Sequence, residues 1–223
     1  MEQKRFPVRL EGTLDEDLGR WVWIFKWFLL IPHFVVLAVL LVGVVILTLV
    51  AWVSIIFTAR YPRWIFDYNV GVLQWGWRVA FYSYSALGTD VYPPFKLGDA
   101  DYPARLEVDY PERLSRGLAL VKWWLLAIPH YIVVGLLTTG AAYVVNSEGE
   151  DVYEAGFSLL GFLVLIAGGY MLFADRYPRG LFDFVMGINR WSTRVWTYVL
   201  LLHDEYPPFR LDQGAKEPDP ATS

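Results

Sequence analysis

Two histidines each stand directly after a proline, Pro32-His33 and Pro129-His130, and imidazole is the side chain most ready to ligate a metal or move a proton near neutral pH. Placed on two apolar segments, such a pair could supply the axial ligands of a haem. The reading preferred here is structural. Proline interrupts the hydrogen-bond ladder of its helix, and the adjacent imidazole or a neighbouring helix takes up the freed carbonyl. The neighbours Phe34 and Tyr131 are also too bulky to surround a porphyrin, so no cofactor and no metal are expected.

Arginine offers a second chemistry. Arg60-Tyr61-Pro62-Arg63 and Arg176-Tyr177-Pro178-Arg179 each put two guanidinium groups beside a helix start. That suits an anionic lipid phosphate, because guanidinium donates in a fork and the helix N-terminus adds positive dipole. The plainer alternative is that these arginines only anchor helix ends at the cytoplasmic interface. Asp67 and Asp183 fall one turn beyond Arg63 and Arg179 and read as their intrahelical partners, worth ~0.2–0.5 kcal/mol if exposed. As reaction acids they lack a companion histidine, carboxylate or hydroxyl at recognisable spacing. With Arg78 and Arg194 further along the same helical stripes, the candidate headgroup- or partner-binding set is Arg60, Arg63, Asp67, Arg78, Arg176, Arg179, Asp183 and Arg194. No catalytic residue is expected.

Tyr92-Pro93-Pro94-Phe95-Lys96-Leu97 and Tyr206-Pro207-Pro208-Phe209-Arg210-Leu211 are proline-stiffened turns. Such turns serve as recognition ligands, or, in the reading adopted, they end a helix and lay aromatics on a membrane surface. Lys26 and Lys122 read as snorkelling to the cytoplasmic interface. The chain contains no cysteine, which excludes disulfides, thiolate metal sites and cysteine nucleophiles. Phosphate-binding glycine loops, zinc-ligand pairs, nucleophile elbows and nucleic-acid modules are absent from the sequence.

The elements that must position these residues come in two copies. Phe6-Pro7-Val8-Arg9-Leu10-Glu11 returns as Tyr102-Pro103-Ala104-Arg105-Leu106-Glu107. Lys26-Trp27 through Pro32-His33 returns as Lys122-Trp123 through Pro129-His130, with one residue inserted before the proline. The Arg-Tyr-Pro-Arg-x-x-Phe-Asp run, then Gly71, Trp75, Arg78, Tyr82 and Asp90, return as the 176–183 run, Gly187, Trp191, Arg194, Tyr198 and Asp204. The units are roughly 1–100 and 101–212, followed by a polar tail over 213–223 that is expected to be disordered.

With 56% hydrophobic and 17% aromatic residues in 223, arranged in long apolar blocks, the chain reads as an integral membrane protein, and its N-terminus lacks the layout of a signal peptide. In the second unit 117–145 and 156–174 are apolar and separated by an acidic stretch at 146–155, so each is expected to cross once. In the first unit 21–59 is continuous and nearly twice one span. It is expected to fold back near Gly43 or to run partly along the surface. Loop lysines and arginines then lie on one side of a four-span model, which puts the acidic loop outside and both termini in the cytoplasm. The even number of spans makes the units parallel, related by an axis along the membrane normal. Segments 62–87 and 178–202 read as in-plane aromatic amphipathic helices. The competing reading makes them third spans, giving six helices and inverted repeats.

The recurring Arg-Tyr-Pro-Arg-x-x-Phe-Asp, the Pro-His of each unit and the Tyr-Pro-Pro-Phe-[Lys/Arg]-Leu endings resemble the prokaryotic membrane proteins grouped as domain of unknown function 4389. The likeness covers residues 5–211 and includes the duplication; it implies a membrane protein and no particular reaction. The expected fold is an all-α membrane protein of tandem hairpin-plus-in-plane-helix units in the cell membrane. The expected function is a non-enzymatic scaffold or accessory subunit that binds lipid headgroups, anionic ones in particular, or a membrane partner or second copy, and no nucleic acid. The alternative is a small transporter or lipid-modifying enzyme built on the Arg/Asp stripes.

Overall fold

The computed structural model describes residues 5–139, 141–145, 151–155 and 158–217. The repeated Pro-x-Arg-Leu-Glu motif forms a strand in each unit, β1 (Val8–Gly12) and β2 (Ala104–Val108), and the two copies pair with each other. They run antiparallel with Leu10 opposite Leu106, Arg9 opposite Glu107 and Glu11 opposite Arg105. Leu10 and Leu106 are the same residue of the repeat, so exchanging the units leaves this register unchanged. The pairing therefore carries a local twofold axis midway between the two leucines, perpendicular to the ladder. Alternation buries Val8, Leu10, Ala104 and Leu106 on one face and turns the charged residues to the other.

α1 (Val22–Leu29) breaks at Leu30, ahead of Pro32, into α2 (Ile31–Thr58), and α3 (Arg63–Tyr82) returns antiparallel along it. The seam runs from His33 beside Trp75, through the Tyr68 hydroxyl on the Leu40 carbonyl and Asn69 on Thr48, to Ile65 packed with Ile55. Ala59 closes α2 in the left-handed region (φ 57°) and Asp175 closes the equivalent helix likewise (φ 55°), so the same sharp turn precedes Pro62 and Pro178. The fold-back expected near Gly43 is absent, because α2 runs unbroken through it for 28 residues. The Tyr68 ring occupies the space that a side chain at Gly43 would need.

In the second unit α4 (Arg116–Val121) passes through a π-turn at Lys122–Leu126 into α5 (Ile128–Thr138), with a bend of 44°. The π-turn absorbs the one residue by which this unit exceeds the first ahead of its proline. A hairpin of β3 (Ala141–Val145) and β4 (Asp151–Ala155) follows, then α6 (Leu159–Ala174) and α7 (Arg179–Val199). α5 packs on the C-terminal half of α7, with Val134 against Trp191 and Val195; α6 packs on its N-terminal half, with Ala167 and Met171 among Phe182 and Val185. The buried Leu37, Val44, Ala51 and Ile55 of α2 have their counterparts in Val134, Leu160, Ala167 and Met171. α5 and α6 are thus two halves of the counterpart of α2, and residues 139–158 form an excursion where α2 has only Val42. This corrects the reading of 117–145 as one unbroken span, since 141–145 is strand. Of the acidic stretch 146–155 expected as an outside loop, 151–155 forms β4 and 146–150 lies outside the described residues.

One described helix, Ile31–Thr58, is long and apolar enough to cross a membrane; Arg116–Leu126 with Ile128–Thr138 qualifies only as a bent pair. α3 and α7 lie in the middle of the fold rather than on its surface. α2 covers one side of α3. On the opposite side Leu97, Gly98, Leu106 and Tyr110 follow α3 from Arg78 back to Phe66. α7 is sandwiched likewise between α5 with α6 and a layer of β1 with residues 212–217. Of the aromatics that an in-plane helix over 62–87 or 178–202 would hold at headgroup level, Trp75, Trp77, Tyr82, Trp191 and Tyr198 are buried, while Trp64, Tyr84 and Trp196 are exposed.

Candidate functional site

Each histidine is enclosed by residues of its own unit. The Trp75 indole N–H donates to Nδ1 of His33 at 3.0 Å, and Trp191 donates to Nδ1 of His130 at 3.2 Å. Phe95 stacks on His33 with centroids 3.9 Å apart, and Phe209 stacks on His130 at 4.2 Å. Since Nδ1 accepts, the proton sits on Nε2 and both rings are neutral. The carbonyls at the helix breaks are satisfied differently from the sequence expectation: Tyr92 donates to the Leu29 carbonyl at 3.0 Å and Tyr206 to the Leu126 carbonyl at 3.2 Å. The two Tyr-Pro-Pro-Phe turns are therefore lids over the histidines, with their outer aromatic surfaces exposed. Each imidazole sits in the aromatic box of its own unit, with Nδ1 taken by a tryptophan and Nε2 buried without a hydrogen-bond partner.

Lys26 and Lys122 do not snorkel to solvent. Both are buried, and their ammonium groups lie 2.8 Å from Asp90 and Asp204. The Thr89 carbonyl at 2.7 Å and the His203 carbonyl at 2.8 Å complete the two cages, and the rings of Tyr82 and Tyr198 lie 4.6 and 5.3 Å beneath the charges. A buried lysine needs such partners, because desolvation of a lone ammonium costs several kcal/mol. The recurrence of Asp90 as Asp204 was the available signal for these pairs. His203, packed against Phe6 and close to Lys122, is held neutral, its pKa pushed down to about 3 by burial and then by the neighbouring ammonium.

The two arginine stripes divide into separate groups. Arg78 donates to the carbonyls of Gly98, at 2.7 Å, and Lys96, clamping the first lid's exit strand onto Gly71. Arg194 is buried against Asp212, 2.7 Å away, and Glu217, while Arg190 meets Glu217 at 2.8 Å and the Leu10 carbonyl. The tail up to Glu217 is thus ordered on α7, contrary to expectation, because two buried guanidinium groups need its carboxylates; residues 218–223 lie outside the described residues. Arg78 and Arg194 are closed to lipid. Nothing in the composition of the tail marked Asp212 and Glu217 as partners.

The exposed members sit at the two helix corners. Arg63 pairs with Asp67 at 3.0 Å, as expected, and lies over the Tyr110 ring. Arg179 reaches Glu16 at 3.1 Å instead of Asp183, and Arg20 pairs with Asp175 at 2.6 Å. A cavity of about 580 Å³ opens at this second corner, but its lining sets Asp15, Glu16, Asp175 and Asp183 against Arg176 and Arg179, which does not favour an anion inside it. Among the described residues, no ion pair engages Arg60 or Arg176; both are exposed at equivalent places beside the apolar ends of α2 and α6, Arg176 at the edge of that acid-rich cavity. No group of three or more metal-ligating side chains occurs among the described residues.

A family model described as a domain of unknown function (DUF4389) matches residues 20–96 and 152–210, more than half of the chain, once in each unit. The second match begins at β4 and leaves out α4 and α5, where the π-turn and the hairpin set this copy apart. No curated protein matches the chain. No solved structure matches it either.

Proposed function

The chain belongs to the domain of unknown function 4389 (DUF4389) family, and from that premise we propose that it is a non-enzymatic membrane scaffold that holds anionic lipid headgroups at Arg60 and Arg176. The observation that carries this reading is the apolar surface of α1, α2, the π-turn, α5 and α6. Phe25, Phe28, Val39, Trp124, Ile132 and Phe162 are among its exposed side chains. A soluble monomer rarely exposes contiguous apolar patches beyond a few hundred Å². Arg60 and Arg176 flank that surface, and arginine binds phosphate bidentately at such an edge.

The interior charges support a structural use rather than a reaction. The lysines are spent on aspartates, and Arg78, Arg190 and Arg194 on holding the segment after the first lid and the tail; Nδ1 of each neutral histidine is taken by a tryptophan. A transporter or lipid-modifying enzyme would need the Arg63/Asp67/Arg78 and Arg179/Asp183/Arg194 stripes to open on a path, and their inner members are covered. Native mass spectrometry of protein extracted in mild detergent tests the proposal. Retained phosphatidylglycerol or cardiolipin, reduced several-fold in Arg60→Gln/Arg176→Gln, is the expected result; a lipid-free wild-type monomer without a partner overturns it.

A further inference from the structure

The geometry points to a protein that lies in one leaflet, with α2 and the α5–α6 pair parallel to the membrane plane and their outer faces seated on acyl chains. The inference rests on the membrane reading above and names how the surface is met. On α2 the seam against α3 is His33, Leu37, Val44, Ala51 and Ile55. At 100° per residue, Val35, Val42, Ile46 and Val53 fall on the line opposite that seam, and all four are exposed. Directly beyond α3 from this line lies the polar layer. Asp99, Asp101, Arg105 and Asp109 are exposed there, alongside α3 over most of its length.

This arrangement decides the tilt. Were α2 to stand upright in the bilayer, the charged layer two elements away would stand at the same depths in hydrocarbon, at several kcal/mol for each charge near the centre. Laid flat, one layer of helices about 10 Å thick sinks into a leaflet whose hydrocarbon is about 15 Å deep, and every charge of the sheet layer stays in water. The twofold axis between Leu10 and Leu106 is perpendicular to the ladder, and the buried face of the ladder looks toward α3 and α7. The axis therefore runs along the membrane normal and sets Arg60 and Arg176 at one level, that of the phosphates. Trp21, Trp27, Trp123 and Trp124, all exposed, supply interfacial aromatics on both units.

The chain has no cysteine, so a single nitroxide can be placed on Val35→Cys, Val42→Cys, Ile46→Cys or Val53→Cys without removing another residue first. Each variant, reconstituted in phosphatidylcholine–phosphatidylglycerol vesicles, is read by the opposed accessibility of oxygen and a water-soluble nickel chelate. Val35 and Val53 are five turns, about 27 Å, apart along the axis. Equal depths at all four positions are expected. An upright helix would place Val35 and Val53 roughly 13 Å shallower than the midpoint between Val42 and Ile46, which overturns the inference while leaving membrane residence intact. Water exposure at all four positions in unbound protein sinks the membrane reading itself. Exclusion of both reagents with dipolar broadening between labels would mean that a second copy covers the face, which also overturns the inference.

Discussion

The ammonium of Lys26 lies 2.8 Å from Asp90 in the first unit, and the same contact, at the same distance, joins Lys122 to Asp204 in the second. Each lysine is fully sequestered, and each aspartate keeps about a quarter of its side chain in contact with solvent. Both pairs tie the start of a unit's apolar helices to the loop that closes it. Removing one partner strands a buried charge, at about 3–5 kcal/mol. Asp90→Ala is therefore expected to lower the detergent-phase Tm sharply. The double variant Lys26→Met/Asp90→Leu is expected to recover most of the loss, because an apolar pair of similar volume carries no desolvation cost. Equal Tm for Asp90→Ala and the double variant would show that the pair is not coupled.

Trp75 and Trp191 should be replaceable in shape but not in chemistry. Phenylalanine keeps the ring yet removes the donor that satisfies a buried imidazole Nδ1, at a cost of about 1–3 kcal/mol for each unsatisfied group. Trp75→Phe and Trp191→Phe are each expected to destabilise by that amount. His33→Phe combined with Trp75→Phe is expected to cost less than the two single changes summed. Denaturant titration of the four proteins reads the coupling.

The buried His203 sets a pH dependence. Its folded pKa is depressed to about 3 from an ordinary value near 6.5, so the unfolded chain binds the proton first as pH falls. Its contribution to stability is then full above about pH 6.5 and is lost progressively below that value, toward pH 3. The Tm of wild type minus that of His203→Gln, measured from pH 8 to pH 4, should shrink over this window and stay flat above it. A difference that does not vary with pH would remove the histidine from the acid response.

The hairpin between α5 and α6 should be dispensable to the helical frame. Replacing residues 139–158 by one valine joins Thr138 to Leu159 in the register of Leu41-Val42-Gly43 and restores the seven-residue step from Val134 to Leu160 that α2 makes from Leu37 to Val44. Helical content per residue should rise in circular dichroism with cooperative melting kept. Loss of cooperativity would show that the two halves need the excursion to align.

The duplication and the mostly helical fold were legible from recurring residues and long apolar runs, because a repeat keeps in each copy what that copy needs for itself. Recurrence alone flagged Trp75 with Trp191 and Asp90 with Asp204, yet it could not say that these were the partners of the histidines and lysines. Those pairs are separated by dozens of residues and meet only when α3 folds back along α2 and the lid closes over both. The hydropathy of 21–59 was equally silent about its shape. An apolar run long enough for two spans can be one helix of 28 residues preceded by a short one, and only the seam of Leu37, Val44, Ala51 and Ile55 against α3 selects that outcome. Residues 213–217 of the tail were misjudged for the same reason, since a polar segment packs on another element whose buried arginines need its carboxylates. Local composition determined what each segment could become; contacts across the two units decided which charges were buried, which arginines stayed free and which face was left apolar.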